Sequence, residues 1–215
     1  MIFKDRQEAG KLLAEKLNKY AGKDTVILAV PRGGVVVAAE VAKRLKDPLD
    51  LIIIRKLGAP GNSELAIGAN TSGGSLVLDK ELISKLKISS EYIKNEHQKQ
   101  LLEAKRREKV FRFGRKPLKI FGKTIILIDD GLATGSTIMA AITTIKQKSP
   151  KKIILAVPVA PLSTVKRIEP EVDSLIVLNT PENFYAIGQF YSYFPQVADD
   201  EVIGLLNERK SPLNN

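Results

Sequence analysis

The sequence predicts an α/β fold built on a mainly parallel, twisted sheet that is flanked by helices. One observation is a set of short runs, rich in β-branched residues and almost continuously apolar, which is typical of strands buried on both faces. These runs are residues 25–30, 50–54, 124–128, 152–157 and 174–178. The other observation is that segments with helical spacing, long enough for crossovers, follow the first, third and fourth runs. They are residues 35–45, 136–148 and 162–168. Because strand and helix alternate, the sheet should be parallel.

Length and composition limit the classes of protein that remain. At 215 residues and 44% hydrophobic content, one core and a single domain over residues 1–215 are expected. No apolar run approaches the roughly 20 residues of a membrane span, and residues 1–11 carry charges where a signal peptide would be apolar, which predicts a cytoplasmic protein. Zero cysteines and one histidine exclude disulfides, a cysteine nucleophile and a multi-histidine metal site.

Three segments stand outside the alternating pattern. Residues 5–20 are predicted to form an opening amphipathic helix. Residues 57–78, rich in Gly, Ser and Asn, predict a mobile loop with a short hairpin that could act as a lid. Residues 79–116 predict a basic helical insertion on the surface, with a helix start near Ser89. Its second part, residues 89–116, holds nine cations and four acids, and the net charge of the chain is +10, which favours anionic partners.

The most informative motif is the sequence TIILIDDGLATGST at residues 124–137. A buried strand ends in Asp129 and Asp130, and a loop of small and hydroxyl residues then enters a helix. Such a loop presents free backbone N–H groups to an anion, and paired carboxylates suit the vicinal hydroxyls of a sugar. A sugar phosphate would satisfy both halves, with its phosphate held by Gly131, Ala133, Thr134, Gly135, Ser136 and Thr137.

Two further strand ends carry residues suited to anions. The sequence AVPRGG at residues 29–34 opens a helix and offers Arg32, Gly33 and Gly34. The next predicted strand ends in Arg55 and Lys56, ahead of the glycine-rich segment. Taken alone, the first of these is also compatible with an ordinary turn, and the two cations are compatible with a solvated strand end.

The motif at residues 124–137 resembles the binding motif for phosphoribosyl pyrophosphate (PRPP) of type I phosphoribosyltransferases. PRGG at 31–34, RKLGAPG at 55–61, ELAIGA at 64–69 and FYAIG at 184–188 extend the resemblance over residues 20–205, to a subfamily without a defined substrate. The resemblance implies the type I fold with a small C-terminal hood, and a loop at Arg32, Gly33 and Gly34 that binds pyrophosphate with Arg55 and Lys56. It also implies a strained peptide bond between Arg32 and Gly33.

The implied reaction is attack of a nitrogenous base on PRPP with release of pyrophosphate. Asp129 and Asp130 would orient the ribose, and Arg32 and Lys56 would neutralise the leaving group. Mg²⁺ would be held mainly by PRPP, with water-mediated contacts to the two aspartates. Glu64 is a candidate general base, and a homodimer is the family expectation.

Two observations bear on the identity of the acceptor. The motif resembles that of adenine phosphoribosyltransferases in having an alanine, Ala133, before Thr-Gly. Many 6-oxopurine enzymes have an aspartate at this position. Six of the twelve aromatic residues fall within residues 184–194, here called the aromatic segment, where Phe184 and Tyr185 are candidates for stacking on a purine-like base. These rings are equally compatible with sealing the sheet edge or an oligomer interface.

A second class of function stays open at this point. The basic insertion and the high overall charge are compatible with a regulatory protein that senses PRPP or a nucleotide, or binds nucleic acid, without turnover. No helix-turn-helix or RNA-binding signature supports it, so nucleic acid is not the expected partner. His97, among charged residues of a predicted helix, is expected on the surface.

Overall fold

The structure, a computed structural model, describes residues 1–22 and 24–208, except for the side chain of Glu64. Eight strands are formed: β1 (Thr25–Ala29), β2 (Leu49–Leu51), β3 (Ile54–Ala59), β4 (Asn62–Thr71), β5 (Leu76–Leu78), β6 (Thr124–Ile128), β7 (Lys152–Val159) and β8 (Ser174–Asn179). The α-helices are α1 (Arg6–Leu17), α2 (Gly33–Leu45), α3 (Lys80–Lys85), α4 (Ser90–Arg112), α5 (Ser136–Lys146), α6 (Leu162–Ile168) and α7 (Asp199–Asn207).

Five strands make the parallel sheet that the sequence predicts, in the order β2-β1-β6-β7-β8. The register aligns the motif strands, since Thr25 of β1 pairs with Thr124 of β6 and Ala29 pairs with Ile128. The carboxyl ends of β1 and β6 therefore lie side by side, and the loops that follow them meet at one edge. The predicted α/β class is confirmed.

Apolar side chains cover both faces of this sheet. On one face, α1, α2 and α7 pack against alternate strand residues such as Ile27, Ile126 and Ile154. On the other face, α5 and α6 pack against the intervening residues, such as Leu28 and Leu127. Strands with both faces buried carry no polar alternation, which is why the sequence showed continuous apolar runs.

The segment predicted as a mobile loop is largely a three-stranded antiparallel sheet in the order β3-β4-β5. The predicted strand at 50–54 is correspondingly split, because the chain leaves the parallel sheet after Leu51 and starts β3 at Ile54. One face of the small sheet buries Leu57 and Ile67 against α3 and α4, where Tyr92 and Ile93 contribute. A separate small core explains why this polar, glycine-rich segment is regular.

The basic helical insertion consists of α3 and α4, and its long helix begins where the sequence indicated. Ser89 is the N-cap of α4, and its hydroxyl accepts a hydrogen bond from the Tyr92 amide at 3.2 Å. The helix packs on β3, β4 and α7, and its last turn is buried at Phe111 and Arg112. The insertion is therefore a packed part of the molecule rather than a free arm.

None of the helices within residues 1–22 and 24–208 combines the length and apolar character that a membrane span requires.

Asp47, just after α2, provides a test of how burial affects stability. Its side chain is buried, Oδ1 accepts from the Gly22 amide at 3.3 Å, and Oδ2 has no hydrogen-bond partner in the described part of the chain. Burial raises the pKa of Asp47 to about 6, above the value of about 4 expected in the unfolded chain. The folded state therefore binds more protons between these values, and its stability should rise as the pH falls from above 6 towards 4.

Replacing this carboxylate with an amide, Asp47→Asn, should raise the free energy of unfolding at pH 7.5 by about 1–2 kcal/mol, because no charge is then buried. Thermal unfolding of both proteins at pH 5.0 and pH 7.5 checks this. The wild type should gain stability at the lower pH relative to the variant, and an identical pH dependence in both proteins would contradict the assignment.

Candidate active site

Two adjacent carboxylates lie at the carboxyl end of β6. Asp130 is 9% exposed, and its Oδ2 accepts a hydrogen bond from Nε of Arg6 at 2.7 Å. The backbone amide of Asp130 donates to Oδ1 of Asp129 at 2.9 Å. The pair is thus fixed on two sides, by a cation from α1 and by its own backbone.

The two acids differ in electrostatic environment. Burial raises the pKa of Asp129 well above its usual range, and the neighbouring charge of Asp130 raises it further. Asp130 instead has the guanidinium of Arg6 in direct contact. A ligand that donates hydrogen bonds to Asp129 would offset the cost of keeping this carboxylate charged.

The loop after the acids runs into α5 in a conformation that suits an anion. Gly135 has a φ of 68°, which favours glycine, and a Cβ atom there would lie 2.7 Å from Cδ1 of Ile168. The hydroxyl of Thr164 donates to the carbonyl of Ala133 at 2.6 Å and holds the outer part of the loop. Hydroxyls of Thr134 and Ser136 lie 3.3 Å apart beside the start of the helix. The loop therefore gathers hydroxyls at the positive end of the α5 dipole.

The second predicted loop packs directly against the acids. A Cβ atom at Gly33 would lie 1.9 Å from Oδ2 of Asp130, and one at Gly34 would lie 2.9 Å from Cα of Asp129. Only glycine fits at such distances, so the loop that opens α2 and the end of β6 form one continuous edge. Among the described residues, a cis peptide bond joins Pro31 and Arg32, one position before the bond between Arg32 and Gly33 that was expected to be unusual.

The predicted cations are not all brought together. Arg32 is partly exposed next to Gly33, and its Nη1 lies 3.5 Å from Oδ1 of Asp199. Arg55 points to α4, where its Nε donates to Gln100 Oε1 at 3.0 Å, and burial lowers its pKa. Lys56 is exposed and, as the next residue of β3, lies on the opposite face of the small sheet. The two neighbouring cations therefore cannot act on the same side.

The aromatic segment borders the loop at residues 131–137 through Ile187. A Cβ atom at Gly131 would lie 2.6 Å from Cγ2 of Ile187, so the two segments are in close contact. Phe184 is partly buried and stacks on Phe190 with centroids 5.4 Å apart, whereas Tyr185 is 88% exposed. Of the two rings predicted to stack on a base, Phe184 packs inside the protein and Tyr185 is accessible to a ligand.

Two residues of this region were not predicted from the sequence. Arg6 reaches Asp130 from α1, and Tyr191 donates from its hydroxyl to the backbone carbonyl of Asp130 at 2.6 Å. In the sequence, Arg6 is a polar residue in the first turn of a predicted amphipathic helix, and Tyr191 is one of six aromatic residues in the aromatic segment. Their partner is distant in sequence, so no local spacing signals either contact.

The carboxylate pair is the part of this region that fits Mg²⁺. Among the described residues, no group of three or more potential ligand side chains is present, and Asp130 already contacts Arg6. The carboxylates of Asp129 and Asp130 are hard oxygen donors, which suit Mg²⁺ through its retained waters. The side chain of Glu64, the candidate general base, lies outside the described part of the structure.

Comparison with known proteins identifies the family. A family model described as a phosphoribosyl transferase domain matches residues 3–195. Two Mycobacterium tuberculosis proteins, from strains CDC 1551 and H37Rv and provisionally named phosphoribosyl transferases, are 41% identical over 206 residues. These alignments cover 96% of this chain but 46% of each relative, so the chain spans less than half of their length.

Solved structures agree in fold. A crystal structure of a Thermus thermophilus protein is 38% identical, with a TM-score of 0.85 over 98% of this chain and 100% of that one. An Aquifex aeolicus structure, at 17% identity and a TM-score of 0.51 over 85% and 78% of the two chains, shares the fold. With a family model over most of its length, and with carboxylates and glycine loops converging on one sheet edge, the chain belongs to the phosphoribosyl transferase domain family.

Proposed function

We propose that the protein transfers the 5-phosphoribosyl group of PRPP to a nitrogenous base and releases pyrophosphate. The observation that carries the proposal is the convergence of two anion-binding loops on one carboxylate pair. Gly33 and Gly34 lie against Asp130 and Asp129, at the edge where the loop into α5 also begins. The carboxylate pair thus lies between the two loops, and PRPP likewise carries its ribose hydroxyls between the 5-phosphate and the pyrophosphate.

The carboxylates orient the ribose in the proposed reaction. Each of its two hydroxyls donates a hydrogen bond to Asp129 or Asp130, and these charges stabilise positive charge that develops on the sugar ring. Asp130 can do this while bound to Arg6, because a carboxylate offers about four acceptor sites.

The loops carry the phosphates. The 5-phosphate is bound by residues 131–137, with backbone amides at the start of α5 and the hydroxyls of Thr134 and Ser136. Pyrophosphate lies at the loop that contains Arg32, Gly33 and Gly34, and Lys56 adds a cation. Arg55 faces α4, so it supports this part of the site only indirectly.

Mg²⁺ would be held mainly by PRPP, with water-mediated contacts to Asp129 and Asp130, and it would supply positive charge for the pyrophosphate. The acceptor is proposed to be a purine-like base that stacks near Tyr185, in a salvage reaction of the cytoplasm. A homodimer is the accompanying expectation.

The direct test is pyrophosphate release from PRPP and Mg²⁺ with a panel of purine and pyrimidine bases. The Asp129→Asn, Asp130→Asn double variant should lose release by at least roughly a hundredfold, because the ribose loses both charged acceptors. Asp24→Asn is the matched control, since Asp24 is an exposed carboxylate at the opposite end of the sheet, paired with Lys123.

The outcomes separate the two functional classes. Base-dependent release that the double variant lacks would establish transfer and identify the acceptor. PRPP binding by calorimetry without release for any base would favour a PRPP sensor, and absence of PRPP binding would overturn the proposal.

Acidic conditions should weaken PRPP binding, because Asp129 must be ionised to accept hydrogen bonds from ribose. Its pKa is raised by burial and by Asp130, so affinity should already fall at a pH where an ordinary carboxyl group, with a pKa of about 4, is fully charged. Calorimetric titrations between pH 5 and pH 8 measure this. Asp129→Asn should bind weakly with a flatter profile, and a wild-type affinity independent of pH in this range would contradict the role given to Asp129.

A further inference from the structure

Arg6 lies at the centre of a closed ring of contacts beside the carboxylate pair. Its Nε donates to Asp130 Oδ2 at 2.7 Å, and its Nη1 donates to the carbonyl of Pro195 at 2.8 Å. Its guanidinium also lies 3.7 Å from the centroid of the Phe194 ring. Phe194 stacks on Tyr191 at 4.8 Å, and the Tyr191 hydroxyl returns to the backbone of Asp130.

Asp130 is thereby held at both of its polar ends. Arg6 binds its carboxylate and Tyr191 binds its carbonyl, while the two side chains are linked to each other through Phe194. The backbone adds a second link, since the amides of Ser192 and Tyr193 donate to the carbonyls of Phe3 and Lys4 at 2.8 and 2.9 Å. The segment that leads into α1 and the aromatic segment are thus joined at the proposed ribose site.

Joining two segments through a buried ion pair costs more free energy of desolvation than joining them through apolar contacts. Arg6 is 8% exposed, and removing such a charge from water costs several kcal/mol before its partner compensates. Apolar residues could link α1 to the aromatic segment at lower cost, as Phe3 and Tyr191 already do with centroids 5.4 Å apart. A guanidinium does what an apolar side chain does not do here, because it donates a hydrogen bond that fixes the orientation of the Asp130 carboxylate.

We propose that Arg6 is a positioning residue that fixes the Asp130 carboxylate for the ribose and attaches the aromatic segment to the same point. The inference rests on the proposed function for its substrate. Its consequence is that the ribose site and the proposed base-binding segment share one rigid connection, so a defect in Arg6 affects both. Arg6 acts through Asp130 and Phe194 and does not itself contact the substrate.

The first test is a cycle of variants measured by calorimetric binding of PRPP with Mg²⁺. Arg6→Gln should weaken binding by roughly ten- to a hundredfold, the effect of losing one charge-assisted contact that orients an acid. Arg6→Lys should recover part of this loss, because it restores the charge without the planar donor pair. Arg44→Gln is the matched control, since Arg44 is exposed on α2, and its affinity should equal that of the wild type.

The double variant Arg6→Gln, Asp130→Asn decides whether Arg6 acts through Asp130. If it does, the double variant should bind PRPP within about twofold of Asp130→Asn alone, because there is no longer a carboxylate to position. Losses that multiply in the double variant would overturn the proposal, as would a folded Arg6→Gln protein with wild-type affinity. The double variant also removes the unpaired buried charge, so it guards against a single variant that fails to fold.

The second test needs no ligand. Hydrogen exchange of the Ser192 and Tyr193 amides should become at least roughly tenfold faster in Arg6→Gln and stay unchanged in Arg44→Gln, because the attachment at Pro195 and Phe194 is lost. Unchanged exchange would overturn the coupling between the two segments. If the wild type fails to bind PRPP, the proposed function is wrong, and exchange still decides whether Arg6 attaches the aromatic segment.

Discussion

Gly33→Ala is expected to abolish PRPP binding and to lower the free energy of unfolding by about 1–3 kcal/mol. The added Cβ atom would lie 1.9 Å from Oδ2 of Asp130 and 2.9 Å from Nε of Arg6, well inside contact distance. At least one of these side chains would have to shift, and both belong to the 2.7 Å ion pair that holds the acid. A single methyl group would therefore disturb the loop that opens α2 and the carboxylate of Asp130 together.

The matched control is Gly204→Ala in α7, where a Cβ atom would meet nothing within 4 Å. That change should stabilise the protein by up to about 1 kcal/mol, because alanine favours a helix more than glycine does. Thermal unfolding and PRPP calorimetry of both variants give the comparison. Binding of PRPP by Gly33→Ala at wild-type affinity would show that the two loops do not act as one site.

Arg112→Met is expected to lower the free energy of unfolding by about 3–5 kcal/mol. Arg112 is 8% exposed, and it binds Asp50 of β2, Glu108 at 2.9 Å and the carbonyl of Leu51 at 3.1 Å. Asp50 in turn accepts from the Leu118 amide at 2.7 Å. Loss of the guanidinium leaves Asp50 buried and charged, at the point where α4 joins the edge of the parallel sheet.

Urea unfolding of Arg112→Met measures this cost, with Arg106→Met as the control in the same helix. Arg106 binds Glu103 at 2.7 Å, and with Arg107 it lowers the pKa of Glu103 to about 2, yet the pair is solvent-accessible. Arg106→Met should lower the free energy of unfolding by less than about 1 kcal/mol. An equal loss of unfolding free energy in the two variants would indicate that the buried ion pair contributes no more to stability than the exposed one.

The parallel sheet was predictable because its signal is local. Four of its five strands, β1, β6, β7 and β8, are apolar runs that local sequence identifies, and the loops after β1 and β6 follow from residue types at strand ends. The exception is β2, which was predicted at residues 50–54 and is Leu49–Leu51. Helix α6 was predicted at its observed bounds, and α2 and α5 were predicted to within two residues at each end. The confirmed parts of the fold are those in which pattern and packing agree.

The antiparallel sheet was not predictable in the same way. Glycine and polar residues in β4 resemble a loop, and only packing under α3 and α4 gives its alternate residues, such as Ile67, a core. Strand formation there depends on tertiary contacts more than on local preference. The separation of Arg55 from Lys56 follows from the same sheet, because neighbours in a strand point to opposite faces.

The contacts of Arg6 also have a consequence for biosynthesis. Asp130 follows Arg6 in the chain by 124 residues, and Pro195 follows it by 189 residues. During synthesis, α1 therefore forms before its counter-ion at Asp130 and its aromatic neighbour Phe194 have been added to the chain, and closing such long loops carries an entropic cost. A chain that terminates before Tyr191 would leave the Asp130 carbonyl without its hydroxyl partner. Translation must pass the aromatic segment before these contacts can form, so prematurely released chains should lack the fixed position of Asp130.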